Sequence, residues 1–244
     1  MPTLKDRVAL VTGAGRRVGR AIAVALGGLG MRVVVHYNES VEGARDTALM
    51  IEDAGGVSAL LRADLSDVTQ CEQLIDAVVL EHGELHTVVN SAAMMLRTPV
   101  GLVTESDWDA MFALNVRAPF FIAQRAADAL RRANGNIVNI ADLAAFENWT
   151  GYVPHGMTKA AVVQMTRALA HALAPEVRVN GVAPGVVMLP EGFDAAQTEH
   201  LRRTTPLRRI GTPEDVARAV VYLVSEDFIT GEVIKVDGGR HVRT

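Results

Sequence analysis

Apolar runs alternate along the chain with segments of helical periodicity. Seven short runs rich in β-branched residues predict strands over residues 7–11, 31–37, 57–61, 85–89, 136–140, 177–182 and 233–236. Helix-length segments lie between them, at about 18–28, 40–54, 67–82, 105–132, 155–174 and 213–225. This alternation predicts one doubly wound α/β domain over residues 1–244, with a mostly parallel seven-stranded sheet and helices on both faces.

One stretch, residues 184–211, breaks the alternation because it holds three prolines, three glycines and no clear strand. A loop of this length in a compact domain usually acts as a lid or a binding element, and a disordered surface insertion is the alternative. We therefore expect a substrate loop roughly over residues 184–211.

Composition and charge narrow the class of protein. The chain is 49% hydrophobic but only 5% aromatic, which favours parallel strands covered by helices over a β-sandwich. Its net charge is −4 with both signs interspersed, so no basic stripe indicates nucleic acid. Cys71 is the single cysteine, which excludes an intrachain disulfide and a thiolate-clustered metal site. Without a membrane-length apolar run or an apolar signal region, we expect a soluble cytoplasmic protein with no membrane contact.

A glycine cluster follows the first predicted strand and opens the first predicted helix. Gly13 and Gly19 flank this turn, where glycine lets the backbone bend tightly and approach a diphosphate at the free N–H groups of the helix. A plain glycine-rich turn is the alternative, but the position between strand and helix favours dinucleotide binding, as in a Rossmann-type domain.

The residues after the second strand indicate which dinucleotide binds. An NAD enzyme needs a carboxylate there for the adenosine ribose, and here Glu39 comes too late. Arginines in the glycine turn and the Ser40 hydroxyl instead suit a 2′-phosphate, so the sequence predicts NADP(H) in preference to NAD. The predicted contacts in this half of the site are Gly13, Arg16, Arg17, Val18, Gly19, His36, Tyr37, Asn38 and Ser40.

Over its whole length the chain resembles the short-chain dehydrogenase/reductase family. The matching segments, in order, are residues 12–19, 64–65, 90–93, 114–116, 180–185 and 230–239. The resemblance implies a nicotinamide cofactor, a small-molecule substrate and a homotetramer or homodimer built on the helices near 105–132 and 155–174. It also implies further cofactor contacts at Asp64, Leu65, Asn90, Ser91, Ala92, Lys159, Pro184, Gly185 and Val187.

Within that family the chain is most similar to pteridine and dihydromonapterin-type reductases. The similar features are Arg17, the pair His36–Tyr37, and Asp142 in place of the usual serine. By this likeness Arg17 contacts both the cofactor phosphate and a substrate such as a pterin. The chain departs from the pattern at the substrate pocket, where Met94 and Met95 replace a stacking aromatic and Tyr152 is expected to line the wall.

The second departure affects catalysis. The family's tyrosine of Tyr-x-x-x-Lys is replaced by His155, four residues before Lys159 and therefore on the same face of a helix. A protonated histidine is a competent acid near neutral pH, although imidazole is shorter than phenol. The positive charge of Lys159 opposes protonation of His155, whereas an ionised Asp142 favours it. The predicted catalytic group is completed by Asn115, a poor helix former in the middle of a predicted helix.

Two functions remain open from the sequence. The first is an NADPH-dependent reductase of a small carbonyl or C=N compound, with His155 as the acid and Lys159 on the nicotinamide ribose. The second is an NADP(H)-binding protein with weak or no catalysis that serves as a cofactor sensor or an oligomer partner. Retention of Asp142, Asn115 and Arg17 favours the enzyme. The replacement of the tyrosine by His155 favours the cofactor sensor.

Overall fold

The structure is a computed structural model that describes residues 4–189 and 194–242. Within these residues, seven strands form a single parallel sheet. The strands are β1 (Val8–Val11), β2 (Arg32–Tyr37), β3 (Val57–Arg62), β4 (Thr87–Asn90), β5 (Asn136–Ile140), β6 (Arg178–Pro184) and β7 (Val233–Val236).

The sheet order is β3-β2-β1-β4-β5-β6-β7, so the direction of winding reverses between β1 and β4. In such a sheet, ligands bind in the crevice outside the carboxyl ends of the strands at the reversal point. One apolar core lies on each face: Leu10 and Val88 belong to the first, and Ala9 and Val89 to the second. Adjacent strand residues point to opposite faces, which confirms the predicted doubly wound α/β fold.

Eight α-helices cover the two faces within the described residues. They are α1 (Arg17–Gly27), α2 (Val41–Asp53), α3 (Val68–His82), α4 (Glu105–Phe112), α5 (Ala118–Arg132), α6 (Val153–Ala172), α7 (Ala195–Thr204) and α8 (Pro213–Ser225). No helix of the described chain is both long enough and apolar enough to cross a bilayer.

The structure corrects two of the sequence predictions. The expected helix over 105–132 is divided by a π-helical segment, Ala113–Arg117, between α4 and α5. The expected loop over 184–211 contains α7, which begins at a capping box in which Asp194 and Gln197 satisfy each other's backbone N–H groups. Residues 190–193 of that loop lie outside the described residues.

Candidate active site

The glycine turn between β1 and α1 is too crowded for side chains. A Cβ on Gly19 would lie 2.3 Å from the Gly13 carbonyl oxygen, and a Cβ on Gly13 would lie 2.8 Å from the Ala92 Cα. Gly13 also has φ +64°, which disfavours other residues. Arg16 precedes α1 without capping it through its side chain. The first N–H groups of α1 are therefore available to an anion, and the cradle fits a dinucleotide diphosphate.

His36 supports this turn from inside the protein. Its Nδ1 accepts the Gly13 N–H at 3.1 Å, and its Nε2 donates to the Ala63 carbonyl at 3.0 Å. Burial lowers the pKa of His36 to about 4, so the ring is neutral at physiological pH. Both ring nitrogens are in use, so in this arrangement His36 positions the glycine turn and has no nitrogen left for the cofactor contact predicted from the sequence.

The N-terminus of α2 is fastened to the same turn. A Cβ on Gly43 would lie 2.4 Å from the Gly15 carbonyl oxygen, so the two backbones are in close contact. Arg20 donates from Nη2 to both the Gly15 and Gly43 carbonyls, at 2.8 and 3.0 Å, and from Nε to Thr47 at 3.0 Å. The helix that carries Ser40 at its N-cap therefore has a fixed position relative to the diphosphate cradle.

The polar residues predicted to select NADP(H) lie beyond the carboxyl ends of two neighbouring strands, with Arg16 in the turn after β1 and Asn38 and Ser40 after β2. Arg16 and Asn38 are exposed, and Ser40 is half-buried. Arg62, at the end of β3, donates from Nε to the Asn38 carbonyl at 3.1 Å and pairs in register with Tyr37. A second guanidinium that the sequence prediction omitted therefore lies at the edge where an adenosine ribose would bind.

Arg17 occupies a different environment. It begins α1 with φ +54° and is exposed. Its side chain lines a mainly apolar groove of about 990 Å³ between α1 and α8, and none of the described residues that line this groove belongs to α6. The structure therefore places Arg17 at the start of α1, next to the glycine turn, with its side chain along the groove between α1 and α8.

The remaining cofactor candidates follow the carboxyl edge of the sheet. The Asp64 carboxylate accepts from the backbone N–H and hydroxyl of Ser66, while the adjacent Leu65 is buried. Asn90 points into the sheet and donates to Asn139 at 2.8 Å, so its side chain holds β4 to β5. Ser91, Ala92, Pro184, Gly185 and Val187 also lie at or just beyond this edge.

Thr12 joins two of these strand ends. Its hydroxyl oxygen accepts the N–H groups of Ser91 and Ala92 at 3.0 and 3.1 Å. The sequence motif includes Thr12, but only the neighbouring positions of β1 and β4 reveal this role. Thr12 is therefore a positioning residue that links the glycine turn to the segment after β4.

Asn115 lies in the π-helical segment and binds two other parts of the chain. Its Oδ1 accepts the Met94 N–H at 2.8 Å. Its Nδ2 donates to the Met94 carbonyl at 2.8 Å and to the Thr158 hydroxyl at 3.0 Å. Single π-helical turns are frequent at functional sites, and this one directs a buried amide towards the loop after β4 and towards α6. The structure thus brings Asn115 together with the helix that carries His155.

His155 lies in the first turn of α6 and is only 2% exposed. Its Nδ1 lies 3.2 Å from the Met94 carbonyl oxygen, which can only accept, so Nδ1 carries a hydrogen. Its Nε2 has no hydrogen-bond partner among the described residues, although Asp142 Oδ2 lies 3.7 Å away. That distance suits an ion pair but is too long for a hydrogen bond. Nε2 is therefore the nitrogen available for proton exchange.

Lys159 and Asp142 complete the group. Lys159 is buried, and its Nζ donates to the Ile140 carbonyl at 2.9 Å. Burial lowers the pKa of Lys159 to about 8, although the attraction of Asp142 opposes this shift. Asp142 follows β5, and its Oδ1 caps the next turn at the Ala144 N–H. The structure therefore brings together the four residues predicted to be catalytic: His155, Lys159, Asp142 and Asn115.

Two loops next to His155 carry the predicted substrate residues. Met94 is fixed through its backbone, and Met95 beside it is exposed. Tyr152 is the N-cap residue of α6, and its ring meets that of Trp149 edge-on at 6.3 Å between centroids. The Thr98 N–H donates to the Gly151 carbonyl at 2.9 Å, which joins the two loops. No cluster of His, Cys, Asp and Glu in the described parts of the chain could hold a metal ion.

The fold and this arrangement define a doubly wound α/β protein with a glycine-rich cradle and a group of His155, Lys159, Asp142 and Asn115 at one sheet edge. The family model described as enoyl-(acyl carrier protein) reductase matches residues 13–241. The chain is 37% identical over 243 residues to the "putative ketoacyl reductase 2" of the granaticin polyketide synthase from Streptomyces violaceoruber, covering 96% of each chain.

Two further comparisons agree. The chain is 32% identical to 3beta-hydroxysteroid dehydrogenase 1 of Eggerthella lenta, covering 97% of this chain and 94% of that one. Its structure matches a "putative short-chain alcohol dehydrogenase" from Sinorhizobium meliloti with a TM-score of 0.93, 34% identity and full coverage of both chains. The chain belongs to the short-chain dehydrogenase/reductase family. It is an oxidoreductase of that type, and the family uses the nicotinamide cofactors NAD(P)(H).

Proposed function

We propose that this protein is an NADPH-dependent reductase of small carbonyl compounds in which His155 is the proton donor. The observation that carries the proposal is the environment of the His155 ring, which is oriented by a backbone carbonyl at Nδ1 and has no hydrogen-bond partner among the described residues at Nε2. A structural histidine in the core uses both nitrogens, as His36 does here.

The proton transfer follows from this geometry. A nicotinamide bound at the carboxyl edge of the sheet would supply hydride to the carbonyl carbon of the substrate. The protonated Nε2 of His155 then donates its proton to the carbonyl oxygen, and the ring is left neutral with hydrogen on Nδ1. In the direction of alcohol oxidation, the same neutral Nε2 accepts the hydroxyl proton.

Two further residues of the group adjoin or share the helix of His155. The Asp142 carboxylate lies 3.7 Å from Nε2, and buried Lys159 lies one turn further along α6. Asn115 holds the Met94 carbonyl that orients Nδ1, so it positions the acid without touching the substrate. We assign Lys159 to the nicotinamide ribose hydroxyls, by the family resemblance and its burial beside the end of β5.

The choice of NADP(H) over NAD(H) is supported by the charges at the end of β2. Arg62 lies at this end, Arg16 lies in the glycine turn after β1, and β2 ends at Tyr37 rather than at a carboxylate. Guanidinium groups bind the 2′-phosphate of NADP(H) through paired charge-assisted hydrogen bonds. The neutral 2′-hydroxyl of NAD(H) cannot form such bonds.

The carbonyl class is supported by the relatives. Ketoacyl reductases and hydroxysteroid dehydrogenases, as those names state, interconvert a carbonyl and an alcohol. A C=N substrate such as a dihydropterin requires the same hydride and proton, so it is included in the test. However, Arg17 lines the groove between α1 and α8 and has no described contact with α6, so it gives this alternative no added support.

The decisive experiment follows NADPH oxidation with ketones, quinones and dihydropterins for the wild type, His155→Ala and His155→Tyr. Loss of a positioned acid costs about 10²–10⁴-fold in rate, so His155→Ala is expected to lose that much of kcat. His171→Ala is the matched control because His171 lies on the exposed face of the same helix. Its kcat is expected to equal that of the wild type.

Two results would overturn the proposal. Equal rates in the wild type and His155→Ala would remove His155 from the mechanism. Turnover in His155→Tyr but in no other form would show that the histidine has abolished catalysis, as in the cofactor-sensor function.

We also propose that α5 and α6 form the contact of a homodimer or homotetramer, because Phe120 and Met157 on these helices are exposed and apolar. The matched tests are Phe120→Glu and Phe228→Glu, of which the second lies in the segment between α8 and β7. Light scattering is expected to show a smaller particle for the first variant only, and an unchanged particle in both would contradict this interface.

A further inference from the structure

A second cleft, of about 430 Å³, lies where the substrate loop returns to the sheet. One wall is the end of β7 and the turn that follows, including Lys235, Asp237 and His241. The other wall is the end of the loop and the first turns of α8, with Arg209 and Arg218. The cleft reaches Val186, which follows the β6 end that the family resemblance assigns to the nicotinamide.

Four basic residues line this cleft, although the whole chain carries a net charge of −4. They are Arg209, Arg218, Lys235 and His241. Two carboxylates, of Asp215 and Asp237, also line it. Whether a ligand meets positive or negative charge therefore depends on which of these groups already pair with other groups of the protein.

Both carboxylates are committed to the protein. Asp215, 11% exposed, receives two hydrogen bonds from Arg209, at 2.6 and 3.0 Å, one from Arg218 and one from the Thr212 N–H. Asp237, only 2% exposed, accepts the N–H groups of Gly239 and His241 and lies 2.7 Å from the His241 Nδ1. Both carboxylates are therefore largely inaccessible to a ligand.

The cations are only partly neutralised: Arg209 and Arg218 share Asp215, and His241 pairs with Asp237, whereas Lys235 has no such partner among the described residues. The Arg209 and Arg218 side chains are 55% and 70% exposed. In the parts of the chain that the structure describes, the partner of Lys235 is the Phe146 ring, 4.4 Å below its Nζ, and no carboxylate pairs with it. An aromatic face attracts an ammonium but leaves its N–H groups free to donate.

We infer that this cleft binds an oxyanion, a carboxylate or phosphate carried on the tail of the carbonyl substrate, with Lys235 as the central donor. The inference rests on the proposed function, since it adds a specificity site to the same reaction. The position of Phe146 connects the cleft to the proposed catalytic group. The ring that Lys235 contacts lies only four residues after Asp142, in the same segment following β5.

The test compares keto acids with their methyl esters, using levulinate and its longer homologues, in the wild type and in Lys235→Gln. Loss of one charge-assisted hydrogen bond predicts a rise of about tenfold in KM for the keto acid whose length reaches the cleft. The KM of the ester and the kcat of both compounds are expected to stay within about twofold. Lys235→Arg should restore most of the acid preference, and Lys5→Gln, remote from the cleft, should leave it unchanged.

Inorganic phosphate distinguishes a substrate tail from an independent effector. Competitive inhibition by phosphate against the keto acid, absent against the ester and in Lys235→Gln, supports the inference. Phosphate binding that depends on Lys235 while acid and ester react equally well would overturn it in favour of a separate anion site. Equal KM values for acid and ester with no phosphate effect would overturn it altogether.

The same experiment separates this inference from the proposed function. If no ketone is reduced, calorimetry with NADP⁺ present measures the dissociation constants of the keto acid and ester directly. A preference for the acid that Lys235→Gln abolishes would then support the cleft although the proposed reaction had failed. No preference would refute both.

Discussion

Replacing Lys159 with methionine should abolish activity but make the protein more stable. Burial lowers the pKa of Lys159 from its ordinary value of 10.5 to about 8, so below pH 8 the folded protein holds an ammonium in an unfavourable place. A shift of this size corresponds to about 3 kcal/mol of lost stability. The substitution also leaves the Ile140 carbonyl without its donor, at a cost of about 1–2 kcal/mol, so the net gain is about 1–2 kcal/mol.

The pH dependence gives this prediction its sharpest form. Between pH 8 and 10.5 the unfolded chain binds more protons at Lys159 than the folded chain does, so this group makes wild-type stability rise with pH over that window. The advantage of Lys159→Met is therefore largest below pH 8 and shrinks by about 3 kcal/mol towards pH 10.5.

Urea unfolding of both proteins at equal concentration, from pH 7 to 10, measures the difference in the free energy of unfolding. At pH 7 the gain corresponds to a rise of about 4 °C in Tm for a chain of this size. Lys5→Met is the matched control, since exposed Lys5 should give a small difference that does not vary with pH. A difference between Lys159→Met and the wild type that stays constant across the range would refute the reasoning.

Three further predictions concern the cradle, the acid and the cofactor. Gly19→Ala should weaken NADPH binding in a fluorescence titration by at least about tenfold, because its Cβ would lie 2.3 Å from a carbonyl oxygen and force the turn to move. Gly28→Ala, whose Cβ would meet nothing nearer than 3.5 Å, should bind normally, and equal affinities in the two variants would contradict this reasoning. Asp142→Asn removes the negative charge 3.7 Å from the His155 Nε2, so kcat/KM should fall by about tenfold. An unchanged kcat/KM would separate Asp142 from the proton donor. Arg16→Glu should reduce the preference for NADPH over NADH by about tenfold or more, and an unchanged ratio of kcat/KM values would contradict our cofactor assignment.

The fold was predictable because its signals are local. Each strand is a short apolar run, and each helix has its own periodicity, so the doubly wound sheet followed from their order. The π-helical segment at Asn115 was not predictable, because it depends on contacts with Met94 and α6 rather than on its own sequence. Helix α7 was hidden by the prolines and glycines around it, although its capping residues are present in the sequence.

The site residues also divide into those that the sequence predicted and those that it did not. The catalytic candidates were found because they occupy the positions of a spaced family motif, although His155 and Asp142 replace its tyrosine and serine, and the structure brings them together. The inward orientation of His36 could not be deduced, because a histidine at a strand end suits either a ligand or a neighbouring backbone equally well. Arg62 was missed because its place beside Tyr37 depends on strand register, which the sequence does not determine.

The hydrogen bond between His155 and the loop after β4 has a consequence for how specificity can change. The acceptor is the main-chain oxygen of residue 94, and Asn115 holds that peptide through its N–H and carbonyl alone. The side chains at positions 94 and 95 are therefore uncoupled from the orientation of the imidazole. Substituting these two methionines should reshape the wall of the proposed substrate pocket while the imidazole keeps its orientation, so this pair is a natural starting point for changing the substrate range of the enzyme.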